Sequence, residues 1–147
     1  MTEKLPEPAP AFTQHFTDPV YDDHADDLAP FGSDEGWELL MDWSDRRAEL
    51  EASPTLATVL GCEPAQVAEV AGPMTGVDGI ETATFVVSAA FVVLRLAGRL
   101  EEDDRLLALE ALDFLIGMLP EVNPAITETP AALLRQRDDL ASWRNTA

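Results

Sequence analysis

Lysine and arginine are scarce in this chain. They total 9 against 28 aspartates and glutamates, a formal net charge of −19. From Leu5 to Asp45 there are eleven acids and no basic residue of either kind. A field of that sign repels phosphate backbones and anionic lipid headgroups, and it draws in basic surfaces. Nucleic acid and membrane are therefore not expected as partners. Cysteine occurs once, at Cys62, so no intrachain disulfide is possible and a reducing compartment is the simpler setting. The opening MTEKLPEPAPAF has no apolar stretch of the signal-peptide kind. The longest uncharged, mostly apolar run, Thr82–Leu94, is 13 residues, short of the ~20 that span a bilayer. These absences predict a cytoplasmic protein.

Catalytic signatures are missing as well. The sequence has no G-x-S-x-G, P-loop, H-E-x-x-H or C-x-x-C. Ser33 lies between Gly32 and Gly36 at the wrong spacing for a nucleophile elbow, and it reads as a helix N-cap. Cys62 follows a glycine in mildly acidic surroundings, which disfavour a thiolate. Glu110 and Asp113 are the acids most closely flanked by core residues, and the narrow strip they share points to a surface exit rather than acid–base work. Asp22, Asp23, His24, Asp26 and Asp27 invite a metal reading. Counted from Asp22, however, a calcium-loop pattern puts His24 and Asp27 where a ligand and a glycine are needed. Combining His24 with Asp27 and His15 for zinc or manganese has no spacing signature behind it. No enzyme activity, metal or cofactor is expected; a metal-dependent hydrolase built on Asp22–Asp27 is the least favoured alternative.

What the chain does have is apolar content at helical spacing. At 147 residues, 46% hydrophobic and 25% charged, it suits one globular domain with a real core. Residues 1–20 carry four of the eleven prolines and no periodicity, which predicts an extended arm that Phe12 and Phe16 could anchor. Residues 21–147 are expected to form an acidic helical domain. The first helix starts at Ser33 and ends near Ala52, with Asp34 and Glu35 in its first turn. Trp37, Leu40, Met41, Ser44 and Ala48 share its apolar face, and Leu39, Trp43 and Leu50 lie along one edge. Short turns follow over 54–60 and 64–71. A central helix opens at Asp78 and closes at Gly98, its polar stripe being Thr84, Ser88 and Arg95. A fourth segment, 103–119, is stopped by Pro120. A last helix is capped by Thr129, with Leu133, Leu140 and Trp143 facing inward. No strand-like alternation or internal repeat is present, so the fold class is all-α, with about four main helices and short helical turns.

The run APFGSDEGWELLMDW (residues 29–43), followed by an Ala/Val-rich central helix, resembles the small bacterial DUF4259-like and YfeS-like domains. Its matching positions are Pro30, Phe31, Gly32, Ser33, Asp34 and Glu35, with Trp37 and Trp43 in the helix. The resemblance implies a bacterial helical domain without an established activity. It also implies that Pro30–Glu35 is a structural turn, with Phe31 stapled into the core.

The acids themselves fall into a pattern. Asp22, Asp23, Asp26 and Asp27 form a loop cluster. Glu35, Glu38, Asp42, Asp45 and Glu49 follow a 3-4-3-4 spacing that puts them on one side of a continuous helix. Regularly spaced carboxylates can imitate a phosphate backbone, and Trp43, at the edge of the apolar face, suits an interface anchor. The expected function is an acidic binding protein that docks a basic protein, such as an immunity protein for a nuclease toxin or another inhibitor of a nucleic-acid-binding protein. A structural or homo-oligomeric domain without a charged partner is the alternative.

Overall fold

The computed structural model describes residues 5–145. The order of elements is α1 (Pro10–His15), a 3₁₀ turn (Pro19–Asp22), α2 (Asp34–Ser44), α3 (Arg47–Ala52), α4 (Leu56–Leu60), a second 3₁₀ turn (Pro64–Gln66), α5 (Val67–Ala71), α6 (Asp78–Ala97), α7 (Glu102–Val122) and α8 (Ala131–Ser142). There is no strand among the described residues, and the all-α expectation holds. The four longest helices, α2, α6, α7 and α8, are the main ones anticipated.

The most apolar helix, α6, is the axis of the fold. It packs along α7, and α2, α3, α4 and α5 cover its other sides, while α8 leans on α7. Its length and hydropathy would allow a membrane crossing, but 67% of its most apolar window is buried inside this fold, where it forms the core. Gly98 ends it in the left-handed region at φ 72°, its N–H donating to the Leu94 carbonyl. Glycine adopts that conformation without the strain a side chain would bring.

Three predicted boundaries move. The helix expected from Ser33 to Ala52 breaks after Ser44, whose hydroxyl donates to the Met41 carbonyl at 2.8 Å, a back-bond that competes with the helical ladder. Arg46 then leaves the helical region at φ −119°, ψ 26°, and Ala48 ends up exposed rather than on the apolar face. Pro120 does not stop α7. It sits in the last turn, where a missing N–H forfeits a single bond near a helix end, and Asn123 N–H closes the helix on Leu119. At α8 the N-cap is Pro130 rather than Thr129.

Residues 5–20 include a short helix; Met1–Lys4 of the expected arm lie outside the described residues. Pro10 opens α1, and Phe12 and Phe16 are buried in an aromatic cluster with Tyr21, Phe91 and Trp143. Phe16 stacks on Trp143 at 5.4 Å and meets Phe91 edge-on at 5.5 Å between ring centroids. Pairing across such a sequence separation leaves no periodic trace in the sequence. Leu133, Leu140 and Trp143 are buried as the spacing of α8 predicted.

The arginines serve the architecture. Arg95, 2% exposed, donates through Nε to the Pro6 carbonyl (2.9 Å) and through one terminal nitrogen to the Tyr21 carbonyl (3.1 Å). Arg47 reaches the Leu96 and Glu7 carbonyls, and Arg105 and Arg144 reach carbonyls in the last turn of α8 and just beyond it. These carbonyls include the ones that helix ends leave without an intrahelical donor. Arg137 pairs with Asp113, and both Asp113 and Glu110 are exposed, as their strip suggested.

Candidate functional site

The acidic stretch divides into a loop that builds itself and a helix face that is left charged. In the loop, the Asp23 carboxylate accepts from the N–H groups of Ala25 (2.8 Å) and Asp26 (3.1 Å), and Asp26 accepts from Leu28 (2.9 Å). These are the local bonds that short acidic side chains offer a turn. Asp22 accepts from the buried Arg95 guanidinium at 3.3 Å while its own side chain remains mostly exposed. Of the four loop aspartates predicted to dock a partner, three are therefore engaged within the chain, and Asp27 is exposed, with no such bond among the described residues.

The next turn locks the loop to α2. Phe31 is fully buried, as the resemblance implied. A Cβ on Gly32 would lie 1.9 Å from the Asp26 carbonyl oxygen, so only glycine lets the two backbones meet there. Ser33 caps α2, its hydroxyl accepting from Gly36 N–H at 3.0 Å. That bond accounts for the serine as a cap.

On α2 itself, Glu38 and Asp42 are exposed and Glu35 is half-buried, and Asp45, its C-cap, is exposed. Glu49 does not continue their row. It lies on α3 beyond the break and binds both the Nε and a terminal nitrogen of Arg46, at 2.7 and 3.0 Å. The expected five-member stripe is thus a row of four. A member the sequence reading missed is Glu81, in the first turn of α6. Partial burial, then the charges of Glu81 and Glu38, push the Glu35 carboxyl above its ordinary value. No local spacing links Glu81 to α2; the one hint was an exposed acid heading an otherwise apolar helix.

The two tryptophans exchange the roles assigned to them. Trp43 is 5% exposed and its ring is covered by the Arg46 guanidinium, 3.9 Å from the centroid. It cannot be the surface anchor expected of it, because the break at Ser44 turns Arg46 back over it. Trp37, expected on the inner face, is only half-buried and stands 5.8 Å from the His24 ring at the edge of the acidic surface.

The histidines are far from forming one site. His15 is held by the α8 end, its Nε2 2.6 Å from the Asp139 carbonyl oxygen and 3.1 Å from Ser142 Oγ. Among the described residues no three His, Cys, Asp or Glu side chains converge in a metal-holding arrangement. Beside the loop, a cleft of about 510 Å³ runs between Asp18, Asp23 and Asp26 on one wall and Arg135 and Asp138 of α8 on the other. Arg135 is already paired there with Asp18 at 3.3 Å. Tyr21 donates to Asp139 at 2.7 Å, and burial and that carboxylate hold the phenol protonated far above its usual range.

The site that remains is a carboxylate surface of Asp27, Glu35, Glu38, Asp42, Asp45 and Glu81, rimmed by Trp37, with chemistry suited to binding cations. Comparison of the chain with protein-family models, curated proteins and solved structures returns no match.

Proposed function

We propose that this chain is a cytoplasmic, non-catalytic binding protein whose α2 face docks a basic protein, in the manner of an immunity protein or an inhibitor of a nucleic-acid-binding protein. The observation that carries the reading is the grouping of Glu35, Glu38 and Glu81, in which partial burial and then the charges of Glu81 and Glu38 raise the Glu35 carboxyl. A surface arginine or lysine of a partner would relieve that repulsion, so complex formation removes an unfavourable term and adds favourable ones. Trp37 beside His24 supplies the aromatic component that interfaces favour.

The test is affinity capture from the native host on the immobilised protein, with elution by rising salt, repeated with the double variant Glu38→Lys/Asp42→Lys. Wild type is expected to retain a basic protein that salt releases. The variant should lose about 1.5 kcal/mol or more for each close pair, at least about tenfold apiece, with its thermal midpoint little changed. A partner retained equally by both proteins would remove the α2 face from its binding surface.

A further inference from the structure

A second site lies on the other side of the acidic loop, where nothing basic is required. Between the loop, α6, α7 and α8 there is a half-enclosed cavity of about 130 Å³. That is close to the roughly 150 Å³ of an apolar cavity known to take benzene. Its walls are Ile80, Val87, Leu115, Leu119 and Leu133, and two buried polar residues face each other's helices across it: Ser88 of α6 and Gln136 of α8. They are 3% and 1% exposed.

The hydrogen bonds of Gln136 fix which end of its amide is committed. Its Nε2 donates to the Leu28 carbonyl (2.6 Å) and the Ala132 carbonyl (3.0 Å), which accounts for both N–H groups. Oε1 is left as an acceptor with no donor on it among the described residues, and the Ser88 hydroxyl likewise has no partner there. Every fully enclosed side-chain nitrogen or oxygen among the described residues does have a partner. Both residues line the cavity. One offers an acceptor, the other a hydroxyl that donates or accepts. The single ionisable lining residue is Asp27, an exposed carboxylate at the rim, which disfavours anions.

We infer that this cavity binds a small uncharged molecule of ring size that carries one O–H or N–H group, such as a phenol, a cyclic alcohol or a primary amide. The apolar body fills the space between Val87, Leu115 and Leu133. The polar group donates to Gln136 Oε1 and accepts from the Ser88 hydroxyl. Both polar residues are then satisfied without water, and a purely apolar ring would leave both unpaired.

The experiment titrates the full chain with phenol, toluene and benzoate, followed by protein NMR and a thermal-shift assay. Phenol is expected to bind saturably, to move the Gln136 side-chain amide and Ser88 resonances, and to raise the midpoint. Toluene should bind several-fold more weakly and benzoate should produce no shift. Ser88→Ala should weaken phenol about three- to tenfold and leave toluene unchanged. The wild-type spectra do not depend on how the variant folds. No saturable phenol shift at Gln136, or equal affinity for phenol and toluene, would overturn the assignment and leave a water-filled cavity.

Discussion

Arg95 sits in the middle of the most apolar helix, and backbone carbonyls hold its charge more than any acid does. The sequence marks it as part of a polar stripe, but its partners, Pro6 and Tyr21, lie in segments without helical pattern, so the purpose of the charge was not legible. Arg95→Ala strips the donor from two carbonyls and exposes the faces of Phe12 and Phe31 that the guanidinium overlies. Unpaired buried acceptors cost about 1–3 kcal/mol each. Urea denaturation should then show a loss of about 3 kcal/mol, and a loss below about 0.5 kcal/mol, the surface level, would show that these bonds are not made. Glu35 predicts a pH effect of opposite kind. Its carboxyl is raised in the fold above the ordinary 4.5, so the folded state holds the proton more tightly than the unfolded one. Glu35 thus favours folding at low pH, and that contribution is lost as pH rises through its folded pKa. Glu35→Gln should raise the urea midpoint at pH 7 and coincide with wild type near about pH 3.5, where both side chains are neutral. An unchanged midpoint at pH 7 would mean Glu35 is not crowded by Glu38 and Glu81.

At the scale of elements, the sequence yielded what depends on local spacing. Caps at Ser33 and Gly98, the buried face of α8 and the apolar girth of α6 all follow from residues within a turn or two of one another. It misled wherever a distant contact outweighed the local pattern. No local pattern before residue 20 announces that rings in and just after α1 complete a cluster with Trp143 past the far end of α8. The docking stripe was drawn on an unbroken helix, and one serine back-bond divides it, moving Glu49 to α3 and Trp43 inward. The role of the N-terminal segment is open to a direct measurement. Phe12 is 2% exposed, so Phe12→Ala should cost about 3–5 kcal/mol by urea denaturation, as for other emptied aromatic sites. A solvated arm would lose almost nothing.

Over the whole molecule, Arg95 and Arg105 are buried while most of the acids face outward. With 9 lysines and arginines against 28 acids, the net −19 has few surface cations to balance it. Self-repulsion of that size opposes compactness, and salt screens it, with a Debye length of about 10 Å at 0.1 M. Raising sodium chloride should therefore raise the thermal midpoint while it weakens docking to a basic partner, a divergence that scanning calorimetry and binding titrations can measure on the same sample. A falling midpoint would show that surface ion pairs, not repulsion, dominate the fold.

The central position of α6 also bears on how the chain is made. Its 20 residues are apolar enough to pass for a membrane segment, and the helices that cover it lie on both sides in sequence. During synthesis α6 emerges from the ribosome before α7 does, with only the shorter helices α1 to α5 available to shelter it. Until α7 follows it out of the ribosome, α6 presents bare the Leu–Val–Phe surface that chaperones and insertion machinery read.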